Sequence, residues 1–299
     1  MDPVRVAIAD VGANTLRLLV AVPDGVGVRA VLEERDQLGL GEVVERYGYI
    51  TEEKAARAVE VARAQTRRAR RLGCERIEIL VTSPGRQSAN GEEFADLLAR
   101  GTGVPVRVLS AEEEGARAWE GAVASLADPP ESIAVCDVGG GSTQLVVGTL
   151  RAGPAWVRSI DLGSLRLTAR VLAGAEDPPA AEALDQARAA AAGAFSSLVP
   201  PVAQLALAAG GTARALRRVV DMLDSEGLAA AIDELSSLKQ AKISKRFGIP
   251  PQRAATLLAG TMLLAEAQRR LGLPLELAGG GLREGSALAL FRASSAAYA

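Results

Sequence analysis

Histidine is absent from all 299 residues. No Ser-His-Asp or Cys-His nucleophile, imidazole base or histidine-bound metal can therefore operate in this chain. Cysteine is nearly absent. Cys74 and Cys136 allow one bridge at most and no zinc-type cluster, which fits two buried thiols in a reducing compartment. Neither sign of charge is in excess, because 34 basic and 36 acidic residues almost cancel. The overall field thus favours neither nucleic acid nor an anionic membrane as a partner. Uncharged apolar runs of about 18 residues are also missing. "MDPVRVAIAD" has an acid and a proline where a secretory signal has a basic start and an apolar stretch. Together these absences predict a soluble cytoplasmic protein whose chemistry runs on carboxylates, backbone amides, arginines and hard metals. Its length predicts two domains, each with its own core.

What is present is organised as a repeat. "VRVAIADVG" (4–12) and "TLRLLVAVP" (15–23) are short apolar runs joined by a Gly-Ala-Asn turn, which reads as a hairpin. "CDVGGGSTQLVVG" (136–148) repeats that layout. Asp10 falls on Asp137, Thr15 on Ser142 and Leu18 on Leu145, a constant offset of 127 residues. Between the copies lie a helical stretch (51–73), a strand (76–83) and a helix opening near Ser110. After the second copy come a further strand region, an alanine-rich helix behind "DPP" (177–179), and "QLALAAGGTARAL" (204–216), a strand breaking into a helix at Gly210-Gly211. Alternating strands and helices predict an α/β class, with "DPPES" (128–132) as a linker.

Glycines without Cβ atoms let backbone N–H groups converge on an anion. At Gly139, Gly140 and Gly141 the hydroxyls of Ser142 and Thr143 add donors, while Asp137 can hold a hard cation directly or through water. The natural guest is phosphate with Mg²⁺. The alternative, glycines that only meet a positive φ in a hairpin, stays open for one copy and weakens for two matched copies. The repeat makes Asp10 a second metal candidate.

In "LSAEEEGARAWEGAVASL" (109–126), Ser110 followed by Glu113 forms a capping box, and Glu112 suits the helix dipole. Glu114 shares a face with Ala118, Gly121, Ala122 and Ser125, small residues that invite close packing. A carboxylate there needs a task or a partner. The partner at helical spacing is Arg117. "RRARR" (67–71) reads as a solvated helix face, and "KQAKISKR" (239–246) as a basic helix end.

Seven segments in register resemble the exopolyphosphatase and guanosine pentaphosphate phosphatase (Ppx/GppA) family of the actin and sugar kinase superfamily. They are "DVGANTLRLLV" (10–20), "TSPGRQSAN" (82–90), "LSAEEEGARAWEG" (109–121), "CDVGGGSTQLVVG" (136–148), "SIDLGSLRLT" (159–168), "AAGGTARAL" (208–216) and "GGGLREG" (279–285). The resemblance implies two duplicated actin-like, ribonuclease H-like α/β domains flanking a cleft, with hinge motion about it. The first spans 1–118 plus a last helix at 286–299, and the second 119–285. It also implies an Mg²⁺-dependent hydrolase, with Mn²⁺ able to substitute, that removes terminal phosphate from polyphosphate or the 5′ phosphate from guanosine pentaphosphate. Relatives are often homodimers. By position Glu114 matches the general base, and Asp137 a metal-binding aspartate. Gly12, Ala13, Asn14 and Thr15 match the first phosphate loop, and Gly139 to Thr143 the second. Gly210, Gly211 and Thr212 join the phosphate-binding set, as do Arg17, Arg86 and Arg283, whose planar forks suit phosphate oxygens. For Arg86 and Arg283 the plainer alternative is a loop arginine in a salt bridge.

Two departures from the family pattern carry consequences. Gln144 stands where the family usually has glutamate near the metal and the attacking water, so the amide keeps the shape and loses the charge. In an extended strand Gln144 should share a face with Val146, with Leu145 opposite. Ala13 replaces a usual serine. The chain also ends soon after "LREG", without the extra helical domains of some relatives, which implies a short-chain preference. An anion sensor with weakened catalysis is the alternative function, and a sugar or acid kinase the more distant one.

Overall fold

The structure, a computed structural model, describes residues 3–296. The N-terminal apolar runs form β1 (Arg5–Val11) and β2 (Thr15–Asp24), an antiparallel pair to which β3 (Gly27–Gln37) is added. α1 (Leu40–Tyr47) and α2 (Glu52–Arg71) follow, the latter capped by Thr51, whose hydroxyl accepts from the Lys54 N–H. β4 (Cys74–Val81) returns parallel to β1. After α3 (Ser83–Gln87) and α4 (Gly91–Thr102), β5 (Val106–Val108) lies parallel to β4, and α5 (Ala111–Val123) ends the run. The sheet order is β3-β2-β1-β4-β5.

β1 shows why the first run is apolar without a break. Ala7, Ala9 and Val11 pack with residues of α2 and α4, whereas Val6 and Ile8 pack with Leu109, with Ala118 of α5 and with Leu282. A strand covered on both faces has no solvent face to make polar.

The second half holds β6 (Ser132–Val138), β7 (Thr143–Thr149) and β8 (Gly153–Ile160), then α6 (Ser164–Leu167), which runs into a π turn at Thr168–Leu172. α7 (Ala181–Phe195), β9 (Leu205–Ala209), α8 (Gly210–Leu216), α9 (Ser225–Ser236), α10 (Gln240–Phe247), α11 (Pro251–Leu271) and β10 (Leu275–Leu277) follow. Read from its β8 edge, this sheet runs β8-β7-β6-β9-β10. That is the order of the first sheet, with the same antiparallel and parallel neighbours. The repeat seen in sequence is therefore a repeat of topology. It holds to the residue, since Asp10 pairs with Arg17 as Asp137 pairs with Gln144.

The chain divides into two units, 1–126 with 280–299, and 127–279. These limits differ from the expected 118/119 and 285/286. α5 continues unbroken past residue 118, and a Cβ on Gly121 would strike the Gly281 carbonyl and the Gly285 N–H. That close approach fastens the start of α12 (Leu282–Ala296) onto α5, so 119–126 and 280–285 stay with the first unit. The expected last helix starts earlier than residue 286, and its positions 297–299 lie outside the described residues. Among the described residues no helix is long and apolar enough to cross a membrane.

Candidate active site

In the second unit β6 delivers Asp137 and Val138 into a turn closed by the Gly139 N–H on the Ser142 carbonyl, at 3.0 Å. The Gly139 carbonyl accepts from the Ser164 N–H (2.9 Å) and hydroxyl (3.1 Å), and the Gly140 carbonyl from the N–H groups of Leu165 and Arg166 (2.9 and 3.2 Å). Both carbonyls thus point at α6. Because a trans peptide is planar with C=O and N–H opposed, the N–H groups of Gly140 and Gly141 point away from α6, toward a common side. Gly163 makes this docking feasible, since a Cβ there would fall 2.5 Å from the Gly140 carbonyl carbon. Gly139 itself has no positive φ, nor has Gly12, so the hairpin alternative does not explain either glycine.

Side chains complete this loop. Thr143 is fully buried and its hydroxyl donates to the Leu162 carbonyl at 2.8 Å, so it anchors the loop from within. Leu145 and Val147 belong to the core cluster, which puts Gln144 on the other face as expected. Gln144 Nε2 donates to Ser142 Oγ at 2.9 Å and to Ser159 Oγ at 3.3 Å. Asp137 shares that face with Gln144, its cross-strand neighbour. Its carboxylate lies against Gly210, whose φ of +85° and lack of a Cβ leave room for Asp137 Oδ1. Thr212 reaches back to the Val138 carbonyl at 3.0 Å, joining the Gly210–Thr212 segment to the loop.

The first unit builds its loop on the same frame, with the Gly12 N–H on the Thr15 carbonyl at 3.0 Å. Here the Ala13 carbonyl accepts from Gly41 (2.7 Å), and the Asn14 carbonyl from Leu38 and Gly39 (2.9 and 3.1 Å). By the same planarity, the N–H groups of Asn14 and Thr15 turn away from the start of α1. Asp10 and Arg17 are cross-strand neighbours, on the face whose apolar residues pack with α5 and α12.

Glu114 lies in the first turn of α5, behind the capping box of Ser110 and Glu113, both of whose bonds measure 3.0 Å. Its partner is not Arg117, which sits 4.0 Å from Glu120, but Arg86, at 2.6 Å. Arg86 is braced by a second bond to the Leu109 carbonyl at 2.9 Å. Arg283 is 5% exposed and bonds Glu33 of β3 at 2.7 Å. Both arginines are thus held in ion pairs, though on helices rather than in loops, Arg86 on the short α3 and Arg283 at the start of the helix Leu282–Ala296. Asp10, residues 12–15, Arg17, Arg86, Glu114 and Arg283 lie in the first unit, where Asp10 faces Arg17 and Arg86 meets Glu114, while Arg283 is paired with Glu33. Asp137, residues 139–144 and 210–212 belong to the second.

Burial disfavours the thiolate form of both cysteines. Burial pushes Cys74 up to about 11 against a smaller opposing effect of Arg5, and burial with the adjacent Asp137 pushes Cys136 further still. Among the described residues no three His, Cys, Asp or Glu side chains gather as a metal cage. Mg²⁺ does not need one, because it commonly takes one or two carboxylates and completes its shell with waters and substrate phosphate. Asp137, at the edge of a turn with outward N–H groups, fits that pattern.

Sequence reasoning missed Arg253, Ser164, Ser159 and Thr82, which the structure places against the candidate residues. Arg253 Nη1 lies 3.3 Å from Thr212 Oγ1, and Nη2 lies 2.8 Å from where a Gly211 Cβ would be. Its one signal is the Pro250-Pro251 helix start just before it. Thr82 donates to the Val11 carbonyl at 3.4 Å, matching Thr212 on Val138, and its place at the end of a strand could have revealed it.

A model of the Ppx/GppA phosphatase family matches residues 19–293. An uncharacterized protein of Streptomyces coelicolor is 29% identical over 307 residues, covering 94% of this chain and 88% of that protein. Exopolyphosphatase 2 of Mycobacterium tuberculosis is 32% identical over 193 residues, or 62% of this chain and 59% of the relative. The Ppx/GppA family member of Aquifex aeolicus, a crystal structure, is similar with a TM-score of 0.83 at 25% identity, covering 97% of this chain and 98% of that one. A crystallised exopolyphosphatase-like protein gives 0.86 at 25% identity, covering 99% and 100%. The family model spans nearly the whole sequence, and the chain belongs to the Ppx/GppA phosphatase family.

Proposed function

We propose that this chain is an Mg²⁺-dependent phosphohydrolase. It releases terminal phosphate from polyphosphate, short chains preferred, or the 5′ phosphate from guanosine pentaphosphate. The observation that carries this reading is the turn at 139–142, whose Gly139 and Gly140 carbonyls are spent on α6 while the N–H groups of the same two peptides face the other way. Acceptor-only phosphate oxygens suit such donors. The relatives named exopolyphosphatase support the substrate class.

In this mechanism the Gly140 and Gly141 N–H groups, with the Ser142 hydroxyl, hold oxygens of the terminal phosphoryl group. Glu114, positioned by Arg86, takes a proton from water as its oxygen attacks the terminal phosphorus. The bridging P–O bond breaks, and its electron pair leaves on the shortened chain. Mg²⁺, held by Asp137 directly or through water, would offset the charge on the phosphate oxygens. Arg17 offers a fork for further phosphates of the chain.

Released phosphate measured from polyphosphates of several lengths and from guanosine pentaphosphate, with Mg²⁺ and with chelator, tests the proposal. Release from one of these, lost in chelator, is the expected result, and no release from any refutes it. The second reading, an anion sensor, draws on the neutral Gln144 beside Asp137. It predicts binding of the same compounds without turnover.

A further inference from the structure

Gln144 is 2% exposed and sends both of its amide N–H bonds to hydroxyls, Ser142 Oγ at 2.9 Å and Ser159 Oγ at 3.3 Å. A serine hydroxyl carries one proton and accepts at its lone pairs. Ser142 accepts from Gln144, so its own proton is not spent on residue 144. A carboxylate of the same shape would reverse the arrangement. Having no proton to give, it would draw the O–H groups of Ser142 and Ser159 toward itself and turn the lone pairs of Ser142 outward.

We propose that residue 144 sets the donor direction of the Ser142 hydroxyl, and that Gln144 is a positioning residue keeping Ser142 a hydrogen-bond donor to phosphate. This rests on the reading of 139–143 as a phosphate loop. Phosphate oxygens accept hydrogen bonds, so an outward proton attracts them and outward lone pairs repel them. The amide therefore exchanges one negative charge for one additional donor. The chain holds phosphate chains with less help from metal than a carboxylate at this position would allow.

The test is a double-mutant cycle on the full chain, with tripolyphosphate as the probe and calorimetric affinity as the readout, in excess chelator and again with Mg²⁺. Ser142→Ala should weaken binding about tenfold in the native background, the scale of one hydrogen bond to a charged acceptor. In the Gln144→Glu background the same change should cost under about twofold, because Ser142 there already faces the carboxylate. Charge repulsion alone would lower affinity in the glutamate variant but leave the cost of Ser142→Ala unchanged. Equal costs in both backgrounds overturn the inference and leave the phosphate-loop reading standing. If the native chain takes up no tripolyphosphate under either condition, that reading falls and the inference with it. If Gln144→Glu does not fold by thermal melting, Gln144→Met replaces it. The Ser142→Ala cost should then shrink through loss of the orienting amide, and an undiminished cost counts against the inference.

Discussion

The turns at 12–15 and 139–142 carry the same closing hydrogen bond at the same 3.0 Å, yet they differ in how they are anchored and in what faces their aspartates. In the first, the anchored carbonyls are those of Ala13 and Asn14, bound to the residues leading into α1. In the second they are those of Gly139 and Gly140, one position earlier in the repeat, bound to α6. The outward N–H groups shift accordingly, from Asn14 and Thr15 to Gly140 and Gly141. Opposite Asp10 stands a cation, Arg17, and opposite Asp137 a neutral amide, Gln144. Duplication has kept the backbone frame, which the sheet dictates, and has let the charges diverge. On the proposed reading the first turn is suited to a phosphate oxygen beside an arginine, and the second to phosphate together with a metal.

The largest effect expected is complete loss of phosphate release in excess chelator, restored by Mg²⁺ or Mn²⁺. Residual activity there would remove the contrast between the two aspartates. Next, Glu114→Gln should lower turnover about 10²- to 10⁴-fold while leaving tripolyphosphate affinity in place, as steady-state kinetics and calorimetry would show. Unchanged turnover would leave the first unit without its chemical role. The aspartates can then be set against each other. Asp137→Asn should raise the Mg²⁺ concentration for half-maximal activity about 10- to 100-fold, whereas Asp10→Asn should raise it less. The opposite order in an Mg²⁺ titration would reverse the assignment.

The smallest expected effects concern packing, read by denaturant unfolding. A Cβ on Gly12 would meet nothing nearer than 3.7 Å, but one on Gly139 would lie 3.0 Å from the Ser142 carbonyl, and one on Gly163 would fall among the Gly139 and Gly140 backbone atoms. Gly163→Ala should therefore cost about 1–3 kcal/mol, Gly139→Ala less, and Gly12→Ala less than about 1 kcal/mol. Equal costs at Gly12 and Gly139 would mean the two turns are packed alike.

Much of this was legible in the residues. The 127-residue offset, the hairpins, the box of Ser110 and Glu113, and the break of β9 into α8 at Gly210 all depend on neighbours within a few positions, and local spacing records such neighbours directly. The alternation of strand faces placed Gln144 opposite Leu145 by the same logic. The partner of Glu114 was not legible. Arg117 was the near choice along the helix, but Arg86, 28 positions away, takes the bond because the last turn of α3 ends beside α5. Arg253 was missed for a like reason, since nothing near residue 253 points to Thr212, 41 positions earlier.

By itself the sequence determined the duplicated α/β frame and narrowed the chemistry on offer, because Asp-Val-Gly turns at a fixed offset mark the repeat and a chain without histidine has no imidazole base or ligand. Only the tertiary structure decided which groups are already engaged and where the units divide. Arg86 is committed to Glu114, and Arg283 to Glu33 across 250 positions. α12 is locked to α5 by the meeting of Gly121 with Gly281 and Gly285. Such contacts join segments remote along the chain, so they leave no periodic trace in it. They arise when sheets and helices pack, and the close approach of backbones then selects one partner among several that composition allows.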